Sequence, residues 1–392
     1  MRTLHAMQFS SIIRTRVALL LVIAVCAGCA SDAPVIKHNP GNDPLGDQPA
    51  APQRLPLTYE ARPDGAVNGG VRAILQDRHG NFWFGSHFEG VCHVDGDQIR
   101  HFTDADGLSD NQVRAIQEAS DGTIWFDCGV GVSNFDGKKI VTRVDREYSL
   151  FSPWELKPDD LWFKANESHG FNEKEHDAGV YRLHDGRLRY LALPLPLQAR
   201  TNDGYSVTGF AKGKGGRIWI ATYDAVFGFD GVSFTTIDGA RMGLRAGEGV
   251  PHVRCVFEDS RGRVWIGNNG VGVVVVDGDA TYGLTKLAGE GDALVNMGAP
   301  LTRSLAANHP SKIDESLQRV FSIGEDRDGN IWIGTIGGGA WRYDGRTLKQ
   351  FNEHDGLTTA NVMAIYCDHD GELWLGGTGV FRLTGDRFER VY

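Results

Sequence analysis

The sequence predicts an all-β protein: a single seven-bladed β-propeller of four-stranded antiparallel blades, placed after an export signal and a flexible tether. Three observations lead there. A unit of about 40 residues recurs along the body, the 51 glycines of the 392-residue chain supply turns at a matching density, and no stretch sustains a helical period.

The amino terminus does not share the repeat. Arg2, Arg14 and Arg16 precede an apolar run from Val17 to Val25, followed by Cys26-Ala27-Gly28-Cys29. A basic region, a short apolar region and small residues before a cleavage point describe an export signal. The run is too short to span a bilayer, which takes about 20 residues. Ala27-Gly28-Cys29 resembles a bacterial lipobox, which implies lipidation of Cys29 and, with Ala30 next, sorting to the outer membrane. An ordinary signal peptidase site nearby is the alternative. The expected division is signal peptide 1–28, lipidated cysteine and tether 29–56, and propeller 57–392. Pro34, Pro40, Pro44, Pro49, Pro52 and Pro56 punctuate the tether, where no apolar period offers a core to offset the entropy of ordering.

Loss of the signal removes three arginines and takes the formal charge from −10 to −13. That disfavours non-specific nucleic-acid binding, which relies on phosphate neutralisation by Lys and Arg. Cys92, Cys128, Cys255 and Cys367 lack metal-like spacing; export permits disulfides, but their places on expected strands favour buried thiols.

Within each unit, an apolar start leads through an Asp and Gly turn to a tryptophan. Val71-Arg72-Ala73-Ile74 precedes Asp77, Gly80 and Trp83, and Val113-Arg114-Ala115-Ile116 precedes Asp121, Gly122 and Trp125. Val253, Val320 and Val362 begin the same sequence before Trp265, Trp332 and Trp374, with weaker copies at Trp162 and Trp219. Successive tryptophans lie 42, 37, 57, 46, 67 and 42 residues apart, so the long intervals mark insertions. A third strand ends in Asp95-Gly96, Asp136-Gly137, Asp185-Gly186, Asp230-Gly231, Asp277-Gly278 or Asp344-Gly345, dipeptides suited to the positive φ of a hairpin turn. A fourth strand follows. Residues 386–392 and residues 55–59 both qualify as the outer strand that closes the ring.

The runs from Phe102 to Ile116 and from Phe351 to Leu357, each followed by its tryptophan, resemble the two-component-regulator propeller repeat across about residues 57–392. That resemblance implies an extracytoplasmic sensing head. With one propeller and no kinase, only the binding or sensing half is expected to carry over. A weaker likeness is to streptogramin lyases.

Four lengthened segments, 165–179, 194–206, 238–252 and 288–319, are expected to rise over one mouth of the central channel, where loops on a rigid scaffold usually build binding sites. Arg72, Arg114 and Arg254 share one repeat position near that mouth and suit an anionic group. Pairing with acids of adjacent blades would also explain them. His169, Glu173, His176 and Asp177 form one polar loop that could hold a divalent metal or act as acid and base, with His252 and His309 on other insertions able to complete such a site, although solvated surface is the default reading of the loop. Asp326-Arg327-Asp328-Gly329 and Asp368-His369-Asp370-Gly371 read better as turns than as calcium ligands. The expected function is therefore binding of a carbohydrate, a peptide or an envelope protein, with no resident cofactor. A metal-assisted lyase or hydrolase and an envelope scaffold are the alternatives.

Overall fold

The structure, a computed structural model, describes residues 69–164, 178–200, 202–244, 250–284, 294–296 and 317–392. The segments expected to be signal peptide and tether, with Cys29 and residues 55–59, lie outside the described residues, as do His169, Glu173, His176, Asp177 and His309. No helix among the described residues is long and apolar enough to cross a membrane.

Seven sheets form the ring. In the first blade, Val71–Gln76, Phe82–Ser86, Val91–Asp95 and Gln98–Phe102 pair in chain order, all antiparallel. Blades two, four, six and seven follow the same order. Except between blades two and three, the first strands of successive blades pack side by side around the centre of the ring.

Burial explains why this repeat folds as a ring. Seven apolar clusters fill the seven gaps between neighbouring blades, and one repeat tryptophan lies in each. Trp83 packs against Phe126 of the second blade, and Trp374 against Phe82 of the first. A blade alone would leave both of its faces in water, so each gap stabilises two blades at once.

Four tryptophans are also held by a carboxylate six residues earlier. The indole N–H groups of Trp83, Trp265, Trp332 and Trp374 donate to Asp77, Asp259, Asp326 and Asp368 at 2.7–2.9 Å. The same carboxylates accept turn amides, as Asp326 does from Asp328 and Asn330. Those lone pairs are spent on the turn and the indole, which is the turn reading of these aspartates. Asp121 is not their counterpart in the second blade: Ala119 holds that place, and the Trp125 indole meets no acceptor among the described residues.

The hairpin dipeptides behave differently from the expectation. All six glycines have positive φ, but among the aspartates only Asp185 does. Elsewhere the aspartate works through its carboxylate, as Asp136, Asp230 and Asp344 each accept two backbone N–H groups of their own turns.

Blade three departs from the pattern. Its sheet runs Leu161–Lys164, Gly179–His184, Arg187–Ala192 and then Arg146–Glu147, the last pairing parallel. The tryptophan strand is therefore innermost, and among the described residues no Val-x-x-Ile strand lies inside it. Pro153 and Pro158 account for this, because a proline removes a ladder N–H. The preceding segment instead sinks Trp154 and Leu156 into the gap with blade four, where Trp154 stacks on Trp162. Gln117 of blade two substitutes for the missing strand edge: its amide donates to the carbonyl of Trp162 at 2.8 Å and accepts from its N–H at 3.3 Å. Buried Asp160 completes the join, accepting from Arg182 at 2.6 Å and lying 3.0 Å from the His184 ring.

The insertions are only partly at the mouth. Leu294–Asn296, within the longest, pairs with Ala280–Leu284 as a fifth, outer strand of blade five. Arg241, in the insertion after blade four, donates to the carbonyls of Gly278 and Asp279 in a turn of blade five, and Met242 is buried between blades. Residues 202–205 stay at the end where blade four's second and third strands meet, since Gly204 accepts from the Asp224 N–H. Among the described residues the ring closes with Arg387–Arg390 as the outer strand of blade seven. Across that seam, the Tyr366 hydroxyl accepts from the Gln76 N–H and Phe84 packs on Tyr392.

Candidate binding site at the channel mouth

In five blades the ladder between the first two strands slips by one residue directly after the leading valine. The extra residue is Arg72, Arg114, Thr208, Arg254 or Phe321. Such a bulge re-aims a side chain away from the regular pleat. The repeat arginines thus occupy one structural position as well as one sequence position.

A relay of hydrogen bonds orients two of them. Arg114 donates from Nε to Gln112 Oε1 at 2.6 Å, and Gln112 Nε2 contacts His87 Nδ1 at 3.2 Å. Arg72 Nη1 reaches the same Nδ1 at 2.8 Å. Two donors on one ring nitrogen require it to be unprotonated, so His87 stands here as a neutral imidazole. On the other side, Arg254 donates to the Tyr223 hydroxyl at 3.3 Å and lies over the Phe321 ring at 4.6 Å. His252 sits edge-on to Tyr223, 4.7 Å between centroids.

Two charged residues that the sequence reading passed over complete the group. Most blades carry glycine two residues after the tryptophan, at Gly85, Gly267, Gly334 and Gly376. A side chain at any of these would strike the leading valine of the next blade, as at Gly85, where a Cβ would lie 2.8 Å from Val113. Blade three offers no such valine to blade two, whose glycine position is Asp127; blade three itself carries Lys164 at that position. Their backbone link, from Lys164 N–H to Asp127 Oδ2, is 3.4 Å long.

The electrostatics tie five blades to one space. Burial first, then Arg114, Arg72 and Arg254, hold the Lys164 ammonium well below the usual lysine range, with Asp127 opposing. Burial pushes the Asp127 carboxyl up, against the pull of Lys164, Arg114 and Arg72. Burial also lowers Arg114, which feels both Asp127 and Tyr223, although an arginine stays charged in proteins. Three arginines and a lysine, with the carboxylates of Asp127 and Asp110, therefore share the mouth of a protein whose net charge is −10.

The signal for Asp127 and Lys164 was present, as the first two of three consecutive breaks in the Trp-x-Gly pattern, the third being Ala221. Gln112, His87 and Tyr223 left none that a single sequence exposes. No cluster of His, Cys, Asp or Glu among the described residues has metal-binding geometry. Cys92, Cys128, Cys255 and Cys367 are free thiols, and burial pushes the first three up to about 12.

The two component regulator propeller family model matches residues 65–88, 107–129, 247–270, 314–337 and 356–379. No curated protein matches the chain significantly. Among solved structures, a streptogramin B lyase shares 15% identity over 79% of this chain and 91% of its own, with a TM-score of 0.52. Virginiamycin B lyase from Staphylococcus aureus shares 14% over 80% and 93%, with a TM-score of 0.53. A catalytically inactive form of the latter with quinupristin covers 79% of this chain and 92% of its own at 14% identity and a TM-score of 0.51. At such identities the likeness is one of fold.

Proposed function

We propose that this chain, which carries five two-component-regulator propeller repeats, is an exported, lipid-anchored binding or sensing propeller that receives the anionic group of its ligand at the channel mouth. The carrying observation is that Arg72, Arg114, Arg254 and Lys164, from four blades, act on one another and on Asp127, with Asp110 also acting on Arg114. Guanidinium groups already oriented by Gln112, His87 and Tyr223 lose little freedom on binding, and their forked donors suit carboxylate, sulfate or phosphate. The scaffold is rigid and the charge is local, which fits recognition of a charged group on a carbohydrate, a peptide or an envelope partner. Export and the anchor at Cys29 rest on the amino-terminal sequence, and the outer membrane on Ala30.

A thermal-shift panel tests the binding reading on the mature chain. It would pair acidic with neutral oligosaccharides, and peptides bearing a free carboxyl with their amides, each with and without chelator. Saturation at 100 times the dissociation constant adds about 2.7 kcal/mol, a readable shift. Stabilisation restricted to the acidic member of a pair, and weakened in Arg254→Gln, is the expected result. Equal response to both members would remove the arginines from the site. Stabilisation lost with chelator would favour the metal-assisted enzyme instead.

A further inference from the structure

One imidazole joins two of the arginines at the mouth. His87 lies in the turn after Phe82–Ser86, and its backbone N–H donates to the carbonyls of Gly69 and Gly70 at 3.1 and 2.9 Å. The residue is 4% exposed and Phe88 meets its ring edge-on at 4.1 Å, so the ring is held away from water. Its Nδ1 accepts from Arg72 Nη1 at 2.8 Å and from Gln112 Nε2 at 3.2 Å, while Gln112 Oε1 accepts from Arg114 Nε at 2.6 Å. The arginine ends fix each role along this chain of bonds. A guanidinium only donates, so the Gln112 oxygen faces Arg114 and its nitrogen faces the ring, which accepts both donors only while Nδ1 carries no proton.

We propose that His87 is a proton gate on the anion site: a neutral ring sets Arg72 and Arg114 for an anion, and binding weakens as pH falls and the ring is protonated. The gate rests on the anion-binding reading of the mouth and adds its regulation. Protonation at Nδ1 sets an N–H against two donors and places a positive charge beside the Arg72 guanidinium, where little water screens either. Turning the Gln112 amide gives no relief, because its nitrogen would then face the Arg114 N–H. The charged ring is therefore reached only by parting Arg72 from Nδ1 and breaking the link that runs through Gln112 to Arg114.

Charge alone predicts the opposite sign, since one more cation draws an anion more strongly. Here the added charge comes only with the loss of two oriented guanidiniums, and it is their forked donors that match an oxyanion. Among the described residues, the charged groups about the ring are Arg72 from its own blade, Arg114 through Gln112, and the carboxylates of Glu89 and Asp110. Glu89 lies in the same turn, against Gly69, and Asp110 accepts from the Gln112 N–H at 2.6 Å. Blade seven contributes Met363, which is uncharged, beside Gly70. Asp127 and Lys164 act on the two arginines, and burial moves both towards neutrality. Assigning the gate to His87 therefore takes a variant in which that ring alone stops titrating.

Sulfate is a suitable probe, because it stays doubly charged across the histidine range and adds no titration of its own. Its dissociation constant for the mature chain would be taken from thermal-shift titrations at about pH 7.5 and about pH 5.5, at one ionic strength. The expected constant is at least about fivefold higher at the lower pH, within the limit of about tenfold per pH unit that one proton sets. His87→Asn puts an amide oxygen near the place of Nδ1 and takes no proton, so the ratio of the two constants should fall close to one. Saturating sulfate should also lower the pH at which the wild-type His87 ring titrates, read from its imidazole NMR signals, because anion and proton oppose each other. That reading needs no variant and decides the matter if His87→Asn does not fold. Tighter binding at the lower pH, or a His87 titration raised by sulfate, overturns the gate. So does a loss of affinity that His87→Asn leaves unchanged, since another group then carries it. Equal binding at both pH values removes the gate and leaves the anion site standing, whereas no sulfate binding at either removes both.

Discussion

At the scale of single residues, the repeat is held by a small number of carboxylates with two tasks each. Asp326 closes its turn and receives the Trp332 indole at 2.7 Å. Asp326→Ala leaves that buried donor and the turn amides without their partner, a loss of about 1–3 kcal/mol. The converse change is informative. Ala119→Asp would offer the Trp125 indole the acceptor it lacks among the described residues, and a gain of about 1 kcal/mol is expected. Thermal unfolding of the two variants reads both. Histidine burial sets a pH dependence of its own. The His93 ring stacks on Trp83 at 3.8 Å, and burial lowers it from the ordinary value of 6.5, as burial also lowers His101. Between 6.5 and the lower folded value the unfolded chain binds more protons, so stability is complete above that window and declines as pH falls through it. His93→Phe should flatten the melting temperature against pH below the ordinary histidine value of 6.5. An unchanged slope would assign the loss to other groups.

At the scale of strands and blades, legibility followed the repeat and stopped where the repeat broke. Five blades were readable because a valine, a turn and a tryptophan recur at fixed places, each with a packing reason to do so, and blade four was a weaker copy at Trp219. Blade three was marked by Trp162 alone. Its architecture depends on Pro153 and Pro158 denying a strand and on Gln117 reaching across from blade two, and no local pattern encodes that contact. The arginine candidates were legible as a repeated residue, but the bulge that turns them into the mouth depends on strand register. Asp127 and Lys164 were visible only as departures from glycine, and the meaning of Asp127 requires knowing that the next blade's valine is missing. The Gln117 bridge gives a direct test of this blade. Gln117→Leu exposes two backbone groups of Trp162, so its amide should exchange faster and the fold lose about 1–3 kcal/mol. Unaltered exchange at Trp162 would mean that the bridge carries little of the blade's stability.

At the scale of the whole molecule, two charge patterns oppose each other. The body is acidic overall, which keeps it away from anionic surfaces, while its channel mouth gathers four cations. Low-dielectric walls around such a mouth focus its field, so an anionic ligand is guided to the one place that attracts it. The tether and lipid would fix where this happens. Cys29→Ala should move the protein from the membrane fraction to the soluble envelope extract, whereas persistence in the membrane fraction would point to an ordinary cleavage site and another means of attachment. The central claim, that the mouth is an anion site, is tested most directly by anomalous diffraction from crystals soaked in tungstate, a tetrahedral oxyanion of phosphate-like shape. The claim requires a tungsten peak in the channel within hydrogen-bonding reach of Arg72, Arg114 or Arg254, and its loss in Arg114→Gln. An empty mouth with tungstate ordered at other arginines would contradict it.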